Sequence, residues 1–167
     1  MRLAHDISLQ VTWGGWQEEL PGLDKIVCET AVAVLNKEWQ YANAAELSIV
    51  LADDEFVRVL NASYRDQDKT TNVLSFPATD RPGVPDIPPG AEAPVLLGDV
   101  VLAFETCLTE SKEISSASPL QDHTRHLLIH GILHLLGHDH ENEADAEKME
   151  TLETNILAGF GVTDPYQ

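Results

Sequence analysis

The chain has 167 residues with 10 Lys and Arg against 28 Asp and Glu, a formal net charge of -18. That length suits one domain with a sizeable core, while the acidity argues against an extended nucleic-acid surface, since phosphate backbones are held by Lys and Arg. No apolar run reaches membrane-spanning length, Met1-Arg2-Leu3-Ala4-His5-Asp6 does not open an export signal, and Cys28 and Cys107 are lone thiols, so a cytoplasmic protein without membrane contact is expected.

Residues 7–12 alternate apolar and polar and predict a first strand. Trp13-Gly14-Gly15-Trp16 breaks that pattern, and tryptophans at such a turn cover a core edge more often than they stack on bases. Asp24 is placed to cap a helix running to about Trp39, with Val27, Ala31, Val34 and Leu35 inward. A second strand is predicted over 47–51, then a helix started by Asp53 and Asp54 and ending at Tyr64, whose Phe56, Leu60 and Tyr64 fall at core-packing spacing. Arg65 follows this helix, and spacing alone makes it a solvated cation at a helix C-terminus. With Arg58, Lys69 and Arg81 it forms the most basic part of the chain.

Asn72-Val73-Leu74-Ser75-Phe76 predicts a short strand stopped by Pro77. Residues 79–94 hold five prolines, Pro82, Pro85, Pro88, Pro89 and Pro94, which predicts a mobile surface loop and a candidate lid. Residues 95–104 form a nearly continuous apolar run, as in a central strand, broken by Asp99. That carboxylate has two readings, as a brace for a neighbouring loop or as an outer partner of a metal site. A helix over 105–116 follows, and Ser118 then has the form of a capping-box residue before Pro119.

The next helix, 119–136, carries the most informative stretch, His130-Gly131-Ile132-Leu133-His134-Leu135-Leu136-Gly137-His138-Asp139-His140. His130 and His134 lie one turn apart on one helical face. Gly137 suits the left-handed conformation that ends a helix, and the returning chain offers His140. Leucines and isoleucines surround the helical pair, and unpaired imidazoles are costly to bury there, which favours a metal. Three imidazoles with an open fourth position are what a catalytic zinc uses. The spacing also fits the long zinc-peptidase pattern except that Gly131 replaces the general-base Glu, which disfavours proteolysis. His123 and His126 precede the motif and are expected at the surface. A last helix from about Asn142 to Gly159 turns Met149, Leu152 and Ile156 inward, and its acidic residues, Glu153 among them, are expected on a solvated face. The class is α+β, one domain over residues 1–167, with a small mixed sheet and about five helices.

Three segments together resemble the bacterial YbeY endoribonuclease family: Asn61-Ala62-Ser63-Tyr64-Arg65 continuing to Thr71-Asn72-Val73-Leu74-Ser75-Phe76-Pro77, then Leu97-Gly98-Asp99-Val100, then the histidine motif. The resemblance implies a zinc-dependent, single-strand-specific endoribonuclease of 16S ribosomal RNA 3′-end maturation and ribosome quality control. Its partners would be rRNA precursors and the ribosome or small-subunit assembly factors. It makes His130, His134 and His140 the metal ligands, and assigns catalysis to Arg65 and the metal-bearing His130. Gly131 would then leave room for a phosphodiester, and Asp99 and Asp139 would be candidates to orient ligand imidazoles. Two alternatives stand beside this: a metallopeptidase-like hydrolase with a substitute base, and a ribosome-associated binding module whose structural zinc takes a fourth ligand from His126 or His138.

Overall fold

The computed structural model describes residues 3–167. Met1 and Arg2, the start of the segment without an export pattern, lie outside the described residues. The alternating run becomes β1 (Asp6–Val11), and the tryptophan turn that follows is itself partly helical, α1 (Gly15–Glu19). This raises the helix count among the described residues to six. Trp16 is fully buried, with its indole Nε1–H donated to the Ala52 carbonyl at 2.9 Å, whereas Trp13 stays exposed. An indole needs a partner for its one polar atom when buried, and the turn is shaped to supply one.

Helix α2 (Leu23–Glu38) starts at Gly22 in the left-handed region, so Asp24 sits inside the first turn and caps nothing. β2 (Ala45–Ala52) and α3 (Asp54–Arg65) follow, with the Asp53 carboxylate accepting from the Phe56 amide at 2.8 Å as an N-cap should. β3 (Val73–Pro77), β4 (Val95–Ala103), α4 (Phe104–Ser111), α5 (Pro119–Leu135) and α6 (Glu143–Ala158) complete the chain. Ser118 gives no side-chain cap to α5; Ser116 Oγ bonds the Asp122 carboxylate instead. At α6, expected to start near Asn142, that residue supplies a cap, its Oδ1 accepting from the Asp145 amide at 2.9 Å.

The four strands make one mixed sheet in the order β1-β2-β4-β3, parallel except for antiparallel β3 at one edge. Pro77 ends that edge strand, where its missing N–H costs least. Alternation then sorts side chains onto two faces. Leu47, Ile49, Leu51, Val100 and Leu102 face the larger core with α2 and α5. Ala52, Leu74, Val101 and Ala103 face α3 in a smaller cluster. Helix α3 buries only Val57 and Asn61; Phe56 and Tyr64, placed in the core by spacing, are 42% and 72% exposed. The sheet's outer face is too thinly covered to enclose them.

Residues 79–94 form no helix or strand, as their prolines require, but they are tied to the body. Tyr41 Oη donates to the Gly83 carbonyl at 3.0 Å, and Asn43 Nδ2 donates to the carbonyls of Ala91 and Ala93. Both cysteines are free, Cys107 buried and Cys28 exposed. No helix among the described residues is long and apolar enough to cross a membrane.

Candidate metal centre

Helix α5 crosses the inner face of the sheet, and its leucines and isoleucines fix its rotation. Leu128, Ile129, Ile132, Leu133 and Leu135 are essentially inaccessible, which leaves His130 and His134 together on the one stripe that looks past the edge strand β3. Gly131 lies on the buried side. A Cβ there would sit 2.7 Å from Val100 Cγ1 and 3.1 Å from Ser75 Oγ, and its carbonyl accepts from that hydroxyl at 2.9 Å. Glycine at this position is therefore explained by close helix–sheet packing. It opens no space beside the histidines, which corrects the expectation that it makes room for a phosphodiester.

The helix stops at Gly137, whose φ of 90° is in the left-handed region. The His138 amide bonds the Leu133 carbonyl and the Gly137 amide bonds the His134 carbonyl, each at 3.0 Å, the paired pattern of a Schellman terminus. This turn carries His140 back over the helix. One ring nitrogen from each of His130, His134 and His140 then lies within 4.8 Å of the others, the one such group of potential metal ligands among the described residues. The Asp139 carboxylate accepts from the His140 amide at 2.7 Å, so it braces the backbone and holds no imidazole.

The partners of the other ring nitrogens decide what this group is. His134 Nδ1 lies 3.0 Å from the His138 carbonyl, which can only accept, so Nδ1 carries the proton. His130 Nδ1 lies 2.5 Å from Glu153 Oε1 and is likewise the donor. With Nδ1 as the donor, each ring in its neutral form presents an Nε2 lone pair, and those atoms face each other at 3.1 Å. Two lone pairs at that distance repel unless a cation sits between them. Ligands at the usual 2.0–2.1 Å on a tetrahedral ion lie about 3.3 Å apart, so the donor set fits a metal. Burial, and then the neighbouring His130 and His140, push the His134 pKa down, which keeps its ring neutral and ready to coordinate.

Glu153 is the side chain beside the histidines that the sequence pattern concealed. Expected on a solvated acidic face, it is fully buried, and its carboxylate accepts from His130, from His126 Nε2 at 3.2 Å and from the Tyr166 hydroxyl. Burial alone would raise its pKa, but the hydrogen bonds from His126, His130 and Tyr166 outweigh it and hold the carboxyl at about 2. The only signal in the sequence is spacing: Met149, Glu153 and Ile156 share one stripe of α6. His126 is drawn inward by the same carboxylate and is partly buried, where exposed surface was expected.

The histidines open onto a cleft of about 670 Å³ whose wall includes Arg65, Asn72 and Ser75. Among the described residues Arg65 is the only Lys or Arg lining it, and its Nη2 donates to the Ser75 carbonyl at 2.9 Å, which holds the guanidinium over the β3 edge. Of the other basic residues in the central segment, Arg58 is engaged by Glu55 and Asp68. Asp99 does not reach the metal centre; it is exposed on the opposite face of the sheet, in a groove with Tyr64 and Phe76. His138, a suggested fourth ligand, bonds Glu38 at 3.1 Å.

Fold and site together define a small α+β protein with a three-histidine cluster, able to hold a metal ion, open to a cleft. A family model described as Endoribonuclease YbeY matches residues 18–161, and the chain belongs to that family. It is 44% identical over 168 residues to Endoribonuclease YbeY of Sinorhizobium medicae (strain WSM419), covering 98% of this chain and 95% of the relative. Identity to the protein of that name from Paramagnetospirillum magneticum is 42%, covering 99% of this chain and 98% of the relative. For Rhizobium meliloti it is 46%, with 98% and 95% covered. The solution structure of TM1509 from Thermotoga maritima shares the fold, with a TM-score of 0.50 at 20% identity, covering 96% of this chain and 99% of that one.

Proposed function

We propose that this protein is a zinc-dependent, single-strand-specific endoribonuclease of the cytoplasm that acts in 16S ribosomal RNA 3′-end maturation and ribosome quality control. Its substrate is an rRNA precursor, met on the ribosome or with small-subunit assembly factors. Membership of the YbeY family, whose relatives carry the name endoribonuclease, supports the reaction class. The observation that carries the metal reading is the pair of opposed Nε2 lone pairs on His130 and His134, each fixed by an acceptor at Nδ1. Three neutral nitrogen donors without a thiolate suit zinc, and they leave its charge undiminished.

His130, His134 and His140 would hold the ion. When bound, zinc supplies Lewis-acid polarisation of a phosphate oxygen and makes water far more acidic. The residues around it divide the rest of the work. Glu153 and the His138 carbonyl hold two rings in the coordinating tautomer. Arg65 spends one N–H on the Ser75 carbonyl and has others free for the non-bridging phosphate oxygens, where negative charge grows during phosphoryl transfer. The open cleft and the absence of other lining cations among the described residues suit one strand threading past the centre better than a duplex held along its backbone.

The structural-zinc alternative needs a fourth protein ligand, and the described residues offer none: His126 and His138 are committed to Glu153 and Glu38. The peptidase alternative needs a carboxylate base beside the first helical histidine, where this chain has Gly131, and Glu153 is enclosed behind His130. The test is to incubate metal-replete protein with one RNA in single-stranded and duplex form, with and without chelator. Cleavage of the single strand alone, stopped by the chelator, is expected. Metal-replete protein that leaves both RNAs intact overturns the proposal.

A further inference from the structure

The outer face of the sheet carries a second concavity that the metal chemistry does not use. It measures about 330 Å³ and is lined by Val50, Phe56, Leu60, Tyr64, Phe76, Val101 and one charged residue, Asp99. Large aromatic surface left open to water is uncommon unless something covers it, and Tyr64 is 72% exposed. Its ring meets Phe76 edge-on, centroids 5.5 Å apart, and Asp99 is the cross-strand partner of Phe76. No side-chain donor among the described residues reaches the Asp99 carboxylate.

This groove adjoins the metal cleft. Strand β3 is the wall between them: Ser75 turns toward α5 and the histidines, and Phe76 toward α3. Arg65 spans that wall, lining the cleft while its Cζ lies 5.8 Å from the Phe76 ring centroid. A phosphate held by Arg65 therefore has an aromatic platform beside it for a neighbouring base. We infer that the Tyr64–Phe76–Asp99 groove is a nucleobase subsite, in which an unpaired base flanking the cleavage point stacks on the rings and gives an amino N–H to Asp99.

The groove's chemistry selects that occupant. Aromatic faces stack on any base without sequence preference. A carboxylate repels phosphate, so the backbone stays outside and only an uncharged base edge enters. Carboxylates accept from amino groups such as cytosine N4, whereas uracil presents a carbonyl oxygen at that position. The subsite thus favours cytosine over uracil, and it requires a base free of its pairing partner. Its place beside the scissile phosphate rests on the endoribonuclease reading above.

The probes are fluorescein-labelled 2′-O-methyl decamers of cytidine and of uridine, titrated into metal-replete protein by anisotropy, with probe integrity checked on gels. Wild type is expected to bind the cytidine probe several-fold tighter. Tyr64→Ala should weaken both by about ten-fold, and Asp99→Asn should bring the two affinities together, with metal content unchanged in each variant. Retention of wild-type affinity by both Tyr64→Ala and Phe76→Leu overturns the inference, and leaves the groove to an apolar protein segment. An Asp99→Asn protein with an unaltered cytidine-to-uridine ratio removes the role of Asp99 and overturns the base preference. Cleavage of matched RNA is scored separately. Tyr64-dependent binding without cleavage keeps the groove and sinks the nuclease reading; cleavage whose KM ignores Tyr64 does the reverse.

Discussion

The two faces of the sheet are built from the same strands and have opposite characters. The inner face packs two long helices over continuous Leu, Ile and Val, and it holds the histidines rigidly because α5 has no freedom to rotate. The outer face has α3 alone, a small cluster, and aromatic rings in water. Metal coordination needs ring nitrogens fixed to within fractions of an ångström, so it belongs on the crowded side. Reading a flexible single strand needs accessible rings and spare hydrogen-bond groups, which the sparse side supplies. Strand β3 is thin enough at the edge for Arg65 to reach both sides.

The sharpest break in this contrast is on the inner face. His134→Ala should abolish stoichiometric metal, measured by elemental mass spectrometry, and RNA cleavage with it. A variant that keeps one equivalent of metal would remove the three-histidine centre from consideration. Arg65→Glu, at the boundary, should retain metal yet lose about 10²–10³-fold in kcat, the usual cost of deleting one preorganised charge-stabilising donor. Cleavage at the wild-type rate would confine Arg65 to solvation of a helix end.

Glu153→Gln tests the support behind the centre. The amide is isosteric but cannot match a carboxylate as acceptor for His130 Nδ1, so metal affinity should fall about 10–100-fold in competition with a chromogenic chelator. Unchanged affinity would make Glu153 a packing residue only. Gly131→Ala asks how tightly α5 sits on the sheet: the added methyl must displace Val100 and Ser75, at a cost of about 1–3 kcal/mol read by denaturant unfolding of the metal-free protein. The smallest effect should come from the outer face. Phe56→Ser should change stability by no more than about 0.5 kcal/mol, and a large loss would show that the sparse face is structural after all.

Much of the inner face was legible in the sequence. The period-2 and period-3.6 patterns locate β1, α2, β2, α5 and α6 within a few residues, because burial on one side of an element writes itself into local spacing. The histidine motif was legible for the same reason, since a helix turn and a glycine stop fix where three nearby residues point. Phe56, Leu60 and Tyr64 show the limit of such reasoning. Their spacing is that of a buried stripe, but whether a stripe is covered depends on how many elements the chain has left for that side of the sheet.

Local order along the chain thus determined the α+β class, the helix–turn that gathers His130, His134 and His140, and the cap at each of Asp53 and Asn142. Tertiary structure alone decided that Glu153 leaves its acidic neighbours to stand behind His130, that Asp99 faces away from the histidine cluster, and that Arg65 arrives at the same cleft. Each of those placements joins residues far apart in sequence through a particular helix rotation or strand register. Spacing cannot report such a distance, because it arises only when separate elements pack.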